Sequence, residues 1–574
     1  MNSTLLARGI FFLFLSSCLT LVSCGGGGGG GSKAVVPVSS QPTSLAQSSV
    51  SVSSVSVASS SQISAANSSQ SNSSANSLIN LTGRVTYDFV PHNDNKIGLN
   101  YSAVSVQAGR GLVVELLDSN NLVLATTNTD SLGNYSFMVD LNKTVKIRVK
   151  AQLLRTLLPV WNFKVTDNTS GNSLYVMDGT LVEANQTTAI RNLHAGSGWT
   201  GTGYTQPRVA APFAILDSIY GGLERIAAVN NSLTFSPLEF RWSVKNKAAD
   251  GNLALGEIGT SFYGSSAIYI LGDENNDTDE YDRHVILHEW GHYLEDQFSR
   301  SDSIGGDHMY GDKMDMRVAM SEGFANAFSA MMLDDPDYRD ASGVQQVSGF
   351  ASDISRKSHT VRGWYSEASI QSVLYNFYKN EKKFSDIFNV ISSSGYASNS
   401  AMISIYVFAN ELRTISPQHS AVFNSLLFEQ NIENTNAFGV GESNSGGYAG
   451  SLPLYKVLAA DNTPINVCST NRFGSYNKLA VSQFLLLDIP LSGAYQFSVQ
   501  KAGGDSGSSD PDIYLYRRGE LIDYAESSTA DQESLLRLLS ADTYVLELVD
   551  DSAKYNESIS EVTACFDVRV QRIN

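Results

Sequence analysis

The chain has 574 residues and a formal net charge of −18, from 39 Lys and Arg against 57 Asp and Glu. That balance excludes a protein that works by neutralising nucleic-acid phosphates, since no basic patch is on offer. The length allows three or four domains, and the chain holds only 4 cysteines.

Residues 1–24 read as a signal peptide. Arg8 gives the positive start, and Ile10-Phe-Phe-Leu-Phe-Leu15 is an apolar run too short to span a bilayer. The segment ends Leu21-Val22-Ser23-Cys24, which resembles a bacterial lipobox. The resemblance implies cleavage before Cys24 and acylation of that cysteine, hence a lipid anchor in the cell envelope. Gly25 rather than Asp at the next position favours the outer membrane; ordinary secretory cleavage is the other reading. Residues 25–78 open on seven glycines and continue in Ser, Val, Gln and Ala. Such a segment cannot bury enough apolar surface to fold. As a flexible tether it would reach roughly 40 Å. With Cys18 removed and Cys24 acylated, Cys468 and Cys565 remain for one disulfide in an exported protein.

From 79 to 195 short runs of period-two character alternate with turns, among them Leu112–Leu117, Tyr135–Val139 and Val145–Lys150. They predict a small β-sandwich. Thr129-Asp-Ser-Leu-Gly-Asn-Tyr-Ser-Phe137 resembles the signature of carboxypeptidase-regulatory-like domains. Trp161–Thr166 is expected to continue this unit. A structural spacer is the preferred reading over a binding face.

The next unit is expected over 196–455. Pro212–Tyr220, continuing through Val229, has helical periodicity, and Phe262-Tyr263 and Ser266–Leu271 read as strands. Then comes an acidic stretch, Gly272–Asp282, in which Asp277 and Asp279 could hold Ca²⁺. The preferred alternative is helix capping, because acidic residues suit a helix N-terminus.

The chemistry concentrates at His288-Glu289-Trp290-Gly291-His292, an H-E-x-x-H. On a helix, residues four apart share a face, so His288 and His292 can present two nitrogens to one Zn²⁺. Glu289, one step round, sits where a general base for an attacking water belongs. A catalytic zinc needs a third protein ligand. The metzincin spacing fails, since Glu295 and Phe298 stand where it requires Gly and His. Glu322, in the helical run Met316–Leu333, is the candidate, with Asn326 four residues on to orient a ligand histidine. Here the chain resembles the thermolysin-like gluzincin metallopeptidases, which pair H-E-x-x-H with a later E-x-x-x-D helix. The likeness rests on 288–292 and 322–326, with Asn326 where the family often has Asp. It implies that Ser266–Leu271 is a sheet edge binding extended substrate, and that the helical patterns from Glu367 to Ile432 form a second lobe. An oxyanion donor is expected from that lobe, with Tyr365 and His359 as candidates. The polar connection Ser299–Asp315 is expected to line the cleft; for His308 within it, substrate contact and simple exposure stay open.

Over 456–574 the pattern returns to strands. Asp510-Pro-Asp-Ile-Tyr-Leu-Tyr516 and Ala541-Asp-Thr-Tyr-Val545 resemble the bacterial pre-peptidase C-terminal domain. Asp510, Asp512 and Asp550 are possible calcium ligands there, with solvated loop acids the plainer reading. The expected architecture is multidomain: a β-sandwich, an α+β zincin-like domain with a helical second lobe, and a second β-sandwich. The expected function is hydrolysis of protein or peptide bonds at the cell surface, with His288, His292 and Glu322 on zinc and Glu289 as base. The competing class is a non-catalytic surface adhesin that retains the fold.

Overall fold

The structure is a computed structural model that describes residues 77–381, 383–505, 507–555 and 560–573. The expected signal peptide, Cys24 and nearly all of the tether lie outside the described residues. Among the described residues no helix is long and apolar enough to cross a membrane.

The first strand, β1 (Leu78–Phe89), pairs antiparallel with Asn134–Asp140. Alternate residues Leu81, Val85 and Tyr87 point into a core shared with a second layer. That layer is built on β2 (Leu112–Asp118), β3 (Val123–Asn128), β4 (Thr144–Arg155) and β5 (Trp161–Asp167). The helix α1 (Ala211–Val229) follows, then β6 (Leu238–Trp242), β7 (Phe262–Gly264) and β8 (Ala267–Ile270). One sheet joins them in the order β7-β8-β6-β5-β4-β2-β3. Its strand β6 lies parallel to β5, with Phe240 opposite Val165, and parallel to β8, with Phe240 opposite Ile268. The sheet therefore runs without a break across the 195/196 boundary expected from the sequence. Trp161–Thr166 is a central strand rather than the end of a spacer.

After a short strand β9 (Asp277–Thr278) comes the helix α2 (Arg283–Phe298), packed on that sheet. Phe163 of β5 meets the rings of Trp290 and Tyr293 edge-on at 6.4 and 5.7 Å. Next stands α3 (Met316–Leu333), with the Asp315 side chain capping it by accepting the Arg317 amide at 2.9 Å. Strands β10 (Asp337–Ser342) and β11 (Ser348–Asp353) form a hairpin, and β9 adds to its edge through Asp277 opposite Ser342. The helical lobe contains α4 (Glu367–Glu381), α5 (Phe384–Ile391), α6 (Ile405–Ile415) and α7 (Ser420–Glu429). All four fall within the stretch from Glu367 to Ile432 where helical patterns are expected.

The C-terminal part is a two-layer β-sandwich with its own core, in which Leu485, Phe497, Leu515, Leu546 and Phe566 are buried. One layer contains β13 (Ser482–Ile489), β15 (Pro511–Arg517) and β17 (Asp542–Asp550). The other contains β12 (Ile465–Thr470), β14 (Gly493–Gly504), β16 (Gln532–Leu539) and β18 (Thr563–Ile573). Cys468 and Cys565 face each other across β12 and β18 and form a disulfide.

Candidate metal centre

Two helices bring the site together because small residues let them approach. A Cβ on Gly291 would fall 3.2 Å from the Ala325 Cα on α3. A Cβ on Gly323 would fall 2.5 Å from the Ile370 side chain on α4. Gly291 adjoins His292 and Gly323 adjoins Glu322, so close helix packing and the candidate metal cluster depend on the same short stretches of sequence. His288 and His292 of α2 and Glu322 of α3 converge with their ligand atoms within 4.8 Å of one another. The two Nε2 atoms are 3.1 Å apart. Glu322 Oε2 lies 3.3 Å from the first and 3.6 Å from the second. Ligands about 2.0–2.1 Å from a tetrahedral zinc stand roughly 3.3 Å apart, so the three fit that ion. Glu322 Oε2 is buried and accepts no hydrogen bond from the protein, as an oxygen kept for a metal would be.

Each imidazole is oriented from behind. His288 Nδ1 is 2.8 Å from Asn326 Oδ1, the contact expected from spacing. Its proton is thereby placed on Nδ1, which leaves the Nε2 lone pair for a metal. His292 Nδ1 lies 3.4 Å from Glu295 Oε2 and 3.3 Å from Ser321 Oγ, and the Ser321 hydroxyl donates to Glu295 at 2.7 Å. Sequence reasoning passed over Glu295, noticing it only where a metzincin would have Gly. Its spacing three residues after a ligand histidine, on one helical face, was the available signal.

Glu289 is fully buried. Its Oε2 accepts the Tyr263 backbone N–H at 2.8 Å, while Oε1 has no hydrogen-bond partner. Burial raises its pKa, and His288 and His292 partly offset that. Burial pushes Glu322 the same way, yet His308 and His292 hold it well below the ordinary carboxylate range. One buried carboxyl is therefore held ionised while its neighbour is drawn toward accepting a proton.

His308 is also part of the site. It is buried, with Nε2 3.6 Å from Glu322 and 3.5 Å from Glu367 of α4. Its Nδ1 lies 3.2 Å from the Gly306 carbonyl. Burial opposes its charge, but Glu322 and Glu367 prevail and push its pKa up to about 10. Its loop is gripped by the start of the C-terminal sandwich. Asn477 donates to the Gly305 and Gly306 carbonyls at 2.8 and 2.9 Å, and Lys478 to the Asp307 carbonyl at 2.7 Å. The two donors suggested by sequence are committed elsewhere. The Tyr365 hydroxyl bonds the Arg362 carbonyl and Asn444, and His359 bonds Tyr310 and the Arg356 carbonyl.

A cleft of about 480 Å³ opens on this centre, lined by Tyr263, His292, Arg300, Ser303 and Glu322 among others. The edge strand differs from expectation. Within Ser266–Leu271, β8 is paired on both sides, so the terminal strand of the sheet is β7, antiparallel to it. The acidic stretch also differs. Asp282 stands at the N-cap of α2 without a side-chain capping bond; it accepts the Ala341 amide at 2.7 Å and meets His92 at 2.9 Å.

Residues 231–421 match the family model of the Mycolysin C-terminal domain. That segment holds α2, α3 and Glu367, and the match puts it in a peptidase context. It covers about a third of the chain. A search of curated proteins finds no match. Among solved structures, the pre-peptidase C-terminal domain of collagenase from Bacillus anthracis is 12% identical, covering 20% of this chain and 96% of its own, with a TM-score of 0.14. The periplasmic g-type lysozyme inhibitor PliG of Aeromonas hydrophila gives 12%, 20%, 98% and 0.14 in the same order.

Proposed function

We propose that this chain is a zinc-dependent peptidase of the cell surface, held to the envelope through a lipid on Cys24. The observation that carries the reading is the convergence of His288, His292 and Glu322 beside a buried Glu289 with one free oxygen. A zinc ion held by those three would supply Lewis-acid polarisation of water and of the scissile carbonyl. The rest is the work of the chain. Glu289 Oε1 takes the proton of the attacking water and passes it to the leaving amine. Its Oε2 stays fixed by the Tyr263 amide, so the base does not turn away. His308, backed by Glu367, keeps Glu322 ionised for the ion. An extended peptide adds to the exposed edge of β7 and is thereby drawn past Glu289.

The test is zinc content and casein hydrolysis of the protein beside its Glu289→Gln form. One zinc in each, with hydrolysis by the wild type alone, is the expected result. A protein without bound zinc would overturn the reading, and zinc in both with no hydrolysis of any protein substrate would favour the adhesin.

A further inference from the structure

A second cluster of carboxylates lies away from the zinc residues. Asp277, Asp279 and Asp340 bring one oxygen each within 4.8 Å of the others. The first two precede α2 and the third follows α3, so the chain returns to the same point after building both metal helices. Asp279 is 1% exposed. One of its oxygens accepts from the Ser261 hydroxyl, while Oδ1 is buried with no partner. Oδ1 of Asp277 and Oδ1 of Asp340 are also buried without partners. Among the described residues no Lys, Arg or His forms an ion pair with any of the three. The nearby cations are already engaged, His92 with Asp282 and Arg208 with Glu280.

Asp279 is buried and Asp277 and Asp340 are half-buried, but each turns a buried, unpartnered oxygen to the others, and three carboxylates cannot all be ionised at this spacing unless a cation joins them. Without one they must hold protons: burial raises all three, with Asp282 adding to Asp277, which reaches about 8, and with Asp277 adding to Asp279 and Asp340. A proton shared among them would still leave oxygens unbonded. The donor set is all oxygen, with neither imidazole nor thiolate, which selects a hard ion.

We propose that Asp277, Asp279 and Asp340 bind a calcium ion that ties the entry of α2 to the strand β10 beyond α3. The ion also reaches the substrate edge. Ser261 links Asp279 to the Leu271 amide, accepted at 2.9 Å, and stands two residues before Tyr263, whose amide holds Glu289. The inference does not depend on the zinc reading, and its test needs no activity.

The full chain is stripped with EDTA, dialysed against calcium chloride, and its bound calcium counted beside Asp279→Asn and Asp340→Asn. The wild type should hold one more calcium per chain than either variant, a difference that discounts any ion in the C-terminal sandwich. At calcium a hundredfold above its dissociation constant the wild-type melting midpoint should rise by about 5 °C, with less change in the variants. A crossed comparison guards against variants that fold poorly. In EDTA, Asp340→Asn should melt above the wild type, because it removes a buried repulsion; with calcium it should melt below. Equal calcium in all three proteins, or a variant that melts lower under both conditions, would overturn the proposal.

Discussion

The two clusters beside α2 and α3 both hold carboxylates with buried, unpartnered oxygens, and their acids are shifted in opposite directions. Glu322 is held well below the ordinary carboxylate range, while Asp279 and Asp340 are held well above it. Desolvation pushes both clusters the same way, so the neighbours decide. Glu322 has three imidazoles within 3.6 Å; the aspartates have one another. Nitrogen donors with an ionised carboxylate suit zinc, and crowded oxygens suit calcium.

The contrast is broken most completely by Glu322→Ala. This protein should lose its zinc on dialysis and all hydrolysis of casein, while its bound calcium stays the same; zinc retained at the wild-type level would remove Glu322 from the ligand set. Glu289→Gln should keep the zinc and lower kcat by about 10²–10⁴-fold, the usual contribution of a positioned base. A smaller drop would mean that another group takes the proton. Asn326→Ala leaves the ligands in place but frees the His288 ring, and should weaken zinc about 10–100-fold in competition with a chelator.

The smallest effect is one of pH. Asp277 is raised to about 8 by burial and by Asp282, with Glu280 adding to it and with Asp279 and Asp340 facing it. In the unfolded chain the same group titrates near 4. Calcium-free protein should therefore lose stability as pH rises from about 4 to about 8, since only the unfolded form ionises freely there. The melting midpoint should fall by a few degrees across that window. Added calcium should flatten the slope, and an unchanged slope would deny the ion access to the cluster.

What could be read from the sequence was what is local. His288, Glu289 and His292 lie within one turn and a half of helix, and Glu322 and Asn326 repeat the four-residue spacing on another. The strands and helices of the outer regions were legible because period two and period 3.6 are written along the chain. What escaped is long-range. The pairing of β5 with β6 joins segments more than 70 residues apart, at Phe163 and Leu238. Nothing in Phe262–Gly264 marks it as the edge strand; that follows from β8 being occupied on both sides. Asp340 meets Asp277 only through a hairpin that adds to β9, so the acidic stretch looked like a helix cap. His308 is legible only as a member of the cleft-lining loop, with substrate contact and exposure both open, because its partner Glu367 and the residues that grip its loop lie far downstream.

That grip has a consequence for the order in which the molecule is made. Arg317, at the start of the helix that carries Glu322, is clamped by Glu547, which lies 230 residues later. Gly305, Gly306 and Asp307 wait on Asn477 and Lys478, more than 170 residues downstream. A chain that emerges from its N-terminus therefore has both metal helices before it has anything to hold the cleft loop in place. The centre is finished by the last quarter of the polypeptide, and a truncated copy carries His288, His292 and Glu322 without the residues that hold the cleft loop.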